Sequence, residues 1–401
     1  MENSSFSSPG VPPPLTPPII TPPPPAKPRK SRGWMIFAII LLVLLFISLF
    51  GNFTQFISRA FGSGFSRGSF RTSMGREVGP RLEECVLKDN DARSKIAVIT
   101  VDGIITDNSR DPNGNNNARN PTGNSMVDVI KAQLDRAKDD DRVKAVILKV
   151  DSPGGEVMAS DEISKAIADF QKDDPVEPGK SGKRGKPVVC SMGSLAASGG
   201  YYISVPSRWI VANDLTITGS IGVILHTWNY RGLMDKVGLA PVTYKSGLYK
   251  DMLSGERSTN EIPAEERVMV QGLIDETYAK FTNVVCVGRS QAHKQNQKEG
   301  KVLATDWGKY ADGRVLSGTQ AFEYGFVDEL GNFDDAVKTT KKIAGIHNAN
   351  LIEYRERYDI SEFLRLFGQS GAAHDIKLDL GLEMPKLQAG QLYFLSPTFV
   401  N

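Results

Sequence analysis

Histidine and cysteine are scarce in this chain, whose 401 residues include only 4 His and 3 Cys. Cys85, Cys190 and Cys286 lie far apart with no CxxC or CxxH spacing, so neither a zinc site nor a disulfide framework is signalled. His226, His293, His347 and His374 are dispersed and belong to no metal-ligand or triad motif. No metal and no cofactor is therefore expected, and the commonest base for activating a nucleophile is missing. An excess of one charge is lacking too. Lys and Arg number 48 against 46 Asp and Glu, for a formal net charge of +2, and the basic residues form no stripe, which argues against nucleic acid as a partner.

What is present begins with proline. Residues 1–33 hold the run Pro22, Pro23, Pro24, Pro25 and almost no large apolar groups, the composition of a disordered, extended segment. It ends in Lys27, Arg29, Lys30 and Arg32, after which no charge interrupts residues 34–50. At about 1.5 Å per residue that run comes close to spanning a hydrocarbon core of about 30 Å, so one transmembrane helix is expected over 34–53. Only Arg59 and Arg67 fall in the twenty residues that follow, so the positive-inside rule puts the amino terminus in the cytoplasm and the rest of the chain outside. A cleaved signal peptide is the alternative, but the polar lead is long and no A-x-A site follows. Residues 54–91, rich in Gly, Ser and Arg, read as a juxtamembrane linker.

From Lys95 onward, apolar runs of strand length alternate with amphipathic helical segments, which predicts an α/β fold of βαβ units with a mostly parallel sheet over residues 92–346. Strands are expected at 96–101, 143–150, 187–192, 209–212, 221–225 and 241–244. Ser125 with Asp128 forms a capping box ahead of a helical face made by Val127, Ile130 and Leu134. After Pro263 a long helix carries Val270, Leu273, Ile274, Tyr278 and Phe281 on one stripe. The polar stretches 107–124 and 172–186 read as surface loops. Residues 347–401 form a tail in which Ile360, Phe363, Leu364 and Phe367 have helical spacing.

Two segments are placed to carry chemistry. Asp151-Ser152-Pro153-Gly154-Gly155 follows a buried strand, at the sheet edge where parallel folds bind ligands. Its glycines leave backbone amides open to a developing negative charge, although an ordinary tight turn uses the same residues. Ser198 follows another apolar strand, with Ala197 and Gly199 on either side. Such small neighbours suit a nucleophile turn, with Ser194 as a rival in the same segment. A serine hydroxyl needs a base, and with the histidines unpromising the candidates are Lys245 and Lys250, among apolar neighbours after an expected strand. Either lysine works as a base only when burial disfavours its ammonium form.

The segments DSPGG, MGSLAASGGYYIS, TGSIGV, KSGLYKD and DGRVLSGTQAFEYGFVDELG, in that order over residues 95–340, resemble the signal peptide peptidase A family in its short, single-repeat form. The resemblance implies a crotonase/Clp protease-like fold and a Ser-Lys dyad. It puts the nucleophile at Ser198 and the general base at Lys250, with Ser220 orienting the lysine and the amides of Gly155 and Gly199 forming the oxyanion hole. Asp251, beside Lys250, must then point away from the amine. The resemblance further implies a membrane-anchored endopeptidase acting on signal peptides or other apolar segments. Assembly into a homo-oligomeric ring is implied as well, with Ser198 and Lys250 meeting either within one subunit or across a subunit boundary. A thioester-cleaving enzyme and a catalytically silent scaffold for membrane proteins are the rival readings.

Overall fold

The structure, a computed structural model, describes residues 79–107, 124–174, 183–357 and 392–395. The chain divides into two compact units, Met1–Arg76 and Glu77–Asn401. The first lies outside the described residues, and with it the expected proline-rich segment and transmembrane helix. The apolar stripe expected at 360–367 and most of the loop at 107–124 also lie outside. No helix among the described residues is long and apolar enough to cross a membrane.

In chain order, the second unit opens with β1 (Leu82–Lys88), β2 (Lys95–Asp102), α1 (Met126–Asp139), β3 (Val143–Ser152), β4 (Gly154–Glu156) and α2 (Val157–Phe170). Next come β5 (Val188–Ala197), α3 (Gly199–Ser204), β6 (Trp209–Ala212), β7 (Ile217–Gly219), β8 (Ile224–Leu225) and α4 (Arg231–Val237). The remainder is α5 (Ala264–Gln295), β9 (Val315–Ser317), α6 (Gly318–Glu323), β10 (Glu329–Leu330), α7 (Phe333–Ala344), β11 (Asn350–Glu356) and β12 (Leu392–Leu395).

The large sheet has the order β1-β11-β2-β3-β5-β6-β10, with β7 beside the end of β5 and β9 beside β7. Every pairing from β11 to β10 is parallel, as is β5 with β7, and only β1–β11 and β7–β9 are antiparallel. This is the mixed α/β fold with a mostly parallel sheet that the apolar runs predict.

Central strands are apolar on both sides because helices cover both faces. Val146, Leu148 and Val150 of β3 share one core with Ile130 and Leu134 of α1 and Ile163 and Ile167 of α2. Ile147 points the other way and packs with Ile96, Val98, Phe333 and Val337. Ser125 caps α1 as expected, accepting the Asp128 N–H at 3.1 Å while the Asp128 carboxylate accepts the Ser125 N–H.

The sheet extends past both ends of the expected domain. β1 falls in the expected linker, and β11 falls in the expected tail, where it pairs with β1 on one side and β2 on the other. β1 is an edge strand with little burial, so its residues carry no apolar alternation from which a strand is legible. Of the strand expected at 221–225 only β8 forms, after Gly219 and Ser220 both leave β7 with positive φ. No strand forms at 241–244, a stretch exposed to solvent with no strand beside it.

The carboxyl half of α5 is clamped to the sheet by a buried ion pair between Arg289 and Asp328. Asp328 also accepts the N–H of Ile210 at 2.9 Å and of Lys301 at 3.2 Å. Replacing Asp328 with Ala removes three donors' partner and strands the Arg289 charge. The expected loss is about 3–5 kcal/mol, read as a fall in the urea midpoint; an unchanged midpoint contradicts this assignment.

Candidate active site

Asp151 governs how the strand ends meet. Its carboxylate accepts the N–H of Leu195 at 3.0 Å, and β5 bulges around it, so that Val150 pairs with Met192 but Ser152 pairs with Ala196. Thr216 and Thr218 fasten the bulged strand through its carbonyls, their hydroxyls donating to Gly193 at 2.8 Å and Ala196 at 2.7 Å. The bulge delivers Ala197 and Ser198 to the level of the Gly154–Gly155 turn.

That turn admits no side chain. A Cβ on Gly155 would lie 1.9 Å from the Ile105 carbonyl oxygen, and one on Gly154, where φ is +102°, would lie 2.6 Å from the Gly199 nitrogen. On the facing side, a Cβ on Gly199 would meet Ser160 Oγ at 2.7 Å and Gly155 N at 3.1 Å, and one on Gly200 would meet the Ser152 carbonyl oxygen at 2.6 Å. The two glycine pairs are thus in backbone contact.

Ser198 sits at the corner between β5 and α3 with φ 53° and ψ −116°, a conformation that costs a non-glycine residue of order 1–3 kcal/mol. Its N–H donates to the Gly219 carbonyl at 2.8 Å and its carbonyl accepts from Tyr202 N–H at 2.8 Å. Its side chain is fully buried, and Oγ has no hydrogen-bond partner. A buried, unpaired hydroxyl costs about 1–3 kcal/mol more, so neither feature of Ser198 contributes to stability. Ser194, the rival, belongs to the bulge of β5.

Ser220 lies beside this corner because β7 runs parallel to β5 with Ala197 opposite Gly219. It too leaves its strand with positive φ, 51°, and is buried. Its N–H donates to the Arg314 carbonyl at 2.7 Å.

The structure therefore brings Ser198, Ser220, Gly155 and Gly199 together. It does not bring Lys250, which is exposed and makes no bond to Ser198 Oγ. Asp251 does turn to other partners: its carboxylate accepts from Lys245 Nζ at 2.8 and 2.9 Å and from Arg257 Nη1 at 3.4 Å. The Lys245 hydrogen bond foremost, with the Arg257 charge, holds the Asp251 carboxyl below its usual range. Lys245, the other lysine candidate, is thereby engaged.

Sequence reasoning missed Asp151 as the organiser of the bulge and Gly154 as a steric requirement equal to Gly155. It also missed the aromatic floor below Ser198. Tyr202, one turn along α3, meets Phe281 of α5 edge-on at 4.9 Å between centroids. The Tyr202 hydroxyl donates to Asp161 Oδ1 at 2.8 Å. Burial, and then that hydrogen bond, push the Tyr202 hydroxyl far above its ordinary pKa, so it stays protonated and fixes the ring.

A strained, unpartnered serine at a strand-to-helix corner, packed against glycine backbone, is an arrangement suited to a serine hydrolase. Sequence comparison narrows the class. Residues 180–347 match the model of Peptidase family S49. A putative signal peptide peptidase SppA from Enterococcus faecium is 36% identical over 274 residues, covering 68% of this chain and 71% of that protein. Protease 4 of Haemophilus influenzae is 32% identical over 250 residues, covering 62% of this chain but 35% of the longer relative. A solved membrane-bound stomatin-specific protease aligns over 66% of this chain and 100% of its own at 15% identity, with a TM-score of 0.38. The chain belongs to peptidase family S49 and is a serine protease of the signal peptide peptidase A type.

If Ser198 is strained as its angles say, glycine should relieve it. Ser198→Gly is expected to raise the unfolding free energy by about 1 kcal/mol after glycine's own entropy cost is met, in urea titrations of the full chain. A drop in stability contradicts the strain.

Proposed function

We propose that this chain is a membrane-anchored endopeptidase in which Ser198 of one copy is activated by Lys250 of a neighbouring copy. The observation that carries this reading is the buried, strained, unpaired Ser198 hydroxyl in a chain whose own Lys250 faces solvent.

Lys250 lies in a stretch whose apolar side chains are uncovered. Trp228, Leu233, Val237, Val242, Tyr244 and Leu248 are each more than half exposed, Tyr244 at 94%, and α4 has no buried residue. Apolar surface of that extent is a docking surface. A second copy covering it removes water from around Lys250, and desolvation favours the uncharged amine. The amine then takes the Ser198 proton as Oγ attacks a peptide carbonyl. Ser220, next to Ser198, orients the amine, and the Gly155 and Gly199 N–H groups receive the oxyanion. The engagement of Asp251 with Lys245 and Arg257 supports leaving Lys250 free of a carboxylate partner.

The substrates in this reading are remnant signal peptides or other apolar peptide segments. The uncharged run at residues 34–50 anchors the chain, with the basic residues before it on the cytoplasmic side and the peptidase domain outside the cytoplasm. A neighbour must supply each base, so the assembly is a closed homo-oligomeric ring.

Two inactive variants test this. Ser198→Ala and Lys250→Ala should each lower kcat on a fluorogenic peptide by at least about 10⁴-fold. Denatured together and reassembled, they should recover about a quarter of the wild-type sites, the share in which an intact serine meets an intact lysine. No recovery on mixing, with each variant shown to assemble, contradicts a dyad shared between copies.

A further inference from the structure

Lys245 directs its whole hydrogen-bonding capacity at its own loop. An ammonium has three N–H groups, and this one donates to the Leu248 carbonyl at 3.1 Å and to both carboxylate oxygens of Asp251 at 2.8 and 2.9 Å. Asp251 is the residue next to Lys250, and a carboxylate drawn to Lys250 would keep that amine charged. The turns here part the two side chains. Lys250 N–H donates to the Gly247 carbonyl at 3.2 Å, Met252 N–H to that of Tyr249 at 3.0 Å and Ser254 N–H to that of Asp251 at 3.1 Å. Bonds from residue i+3 back to residue i give about three residues per turn, so adjacent side chains point about 120° apart.

Asp251 is held from a second side. Arg257 Nη1 reaches the Asp251 carboxylate and carbonyl, each at 3.4 Å, and Glu266 Oε2 at 2.7 Å, while Nη2 donates to the Glu261 carbonyl at 2.8 Å. Glu266, in the first turn of α5 and buried, also accepts the N–H of Leu253 at 3.2 Å. That bond fixes a residue whose φ of 67° few non-glycine residues adopt. Lys245, Asp251, Arg257 and Glu266 thus form a linked set of two cations and two anions whose charges cancel. Glu261 is the other carboxylate acting on Arg257, and it accepts the N–H of Ser258 at 3.3 Å. With its carboxyl below the usual range, Asp251 is ionised wherever an amine titrates. A surface ion pair such as Lys245 with Asp251 adds little to stability, so its larger effect is on the charge beside Lys250.

We propose that Lys245 is a positioning residue for the general base: by holding the Asp251 carboxylate, with Arg257 and Glu266 behind it, it keeps this set at zero net charge beside Lys250 and so sets the pH above which the enzyme works. The proposal rests on the Ser198–Lys250 reading. Loss of the Lys245 charge leaves the set at −1, which favours the ammonium of Lys250 and demands a higher pH to remove its proton. Loss of the Asp251 charge leaves the set at +1, with the opposite effect. Loss of both restores zero. A residue that only braced the loop would instead give defects of one sign that accumulate.

The pH dependence of kcat/KM on fluorescein-labelled casein, measured with the full chain in detergent, tests this, because its acidic limb reports the base of the free enzyme. Lys245→Met should move that limb up by about one pH unit and Asp251→Asn should move it down by about as much, while the double variant returns to the wild-type limb. Lys245→Arg, which keeps the charge, should hold the wild-type limb. Lys245 is exposed, so its replacement strands no buried group, and size-exclusion chromatography checks that each variant assembles as wild type does. Should Lys245→Met fail to assemble, the limb of Asp251→Asn decides alone, since a purely structural defect would not lower it. An unmoved limb in the single variants, shifts of one sign in both, or no return in the double variant, each with Lys250→Ala inactive, overturns the proposal and leaves the Ser198–Lys250 reading intact. A Lys250→Ala protein that cleaves casein with the wild-type limb overturns both.

Discussion

The backbone contact between Gly154–Gly155 and Gly199–Gly200 is the constraint from which the rest of the site follows. Main chain can approach main chain this closely only where no side chain intervenes, and each of the four glycines would drive a Cβ into a neighbouring atom at 2.7 Å or less. For the pairs to meet, β3 and β5 must be adjacent and their ends level. The parallel order of the sheet supplies the adjacency, and the bulge around the Asp151 carboxylate supplies the level. Ser198, the residue between the bulged strand and the glycines, then has no relaxed conformation open to it. The unfavourable angles at Ser198 are a consequence of packing that is itself favourable, which is how local strain persists in a folded chain.

The same chain is well packed in one region and unfinished in another. Around β2, β3 and β5 the core is closed on both faces. Along α5 the change is gradual: Phe281, Val285 and Arg289 are buried, whereas Val268, Met269 and Leu273, nearer the amino end, are exposed. Trp228, at the start of the exposed apolar run 228–248, lines one cavity with Val270 of that half. Presenting such a surface to water is unfavourable. The surface and the exposed Lys250 occur in the same segment, so covering one also desolvates the other. On this account assembly and activation are a single event, and a lone copy holds a nucleophile without its base.

Much of the fold was legible because uninterrupted apolar runs have few alternatives: the strands at 95–102 and 143–152 and the capped helix at 126–139 fall where the apolar runs and the Ser125 cap put them, whereas β5 starts as expected but runs past the expected end at 192 to Ala197. The two outermost strands on the β1 side of the sheet were not legible. β1 and β11 owe their place to pairing with partners distant in sequence, and β1 shows almost no burial of its own. The expectation of a strand at 241–244 failed because a lone apolar stretch with no neighbouring strand has nothing to pair with. At the site, Gly154–Gly155 after β3 and Ser198 after β5 stood out as motifs in the sequence, and Ser220 after β7 through the family resemblance. Asp151 as a bulge organiser did not, since its role lies in accepting an amide 44 positions away. Nor did the stacking of Phe394 on Tyr202 and Phe281, which joins residues that no periodicity connects.

The proposed pairing of Ser198 with Lys250 comes down to two atoms. A cryo-EM structure of the assembled Ser198→Ala protein would place Lys250 Nζ of one copy against the β-carbon of residue 198 in another. The account predicts a separation within about 4 Å, consistent with a proton-transfer contact of about 3 Å to the missing oxygen, in a pocket closed to water. A ring in which every Lys250 remains solvated and about 10 Å or more from every residue 198 would contradict it, since no amine could then take the proton directly.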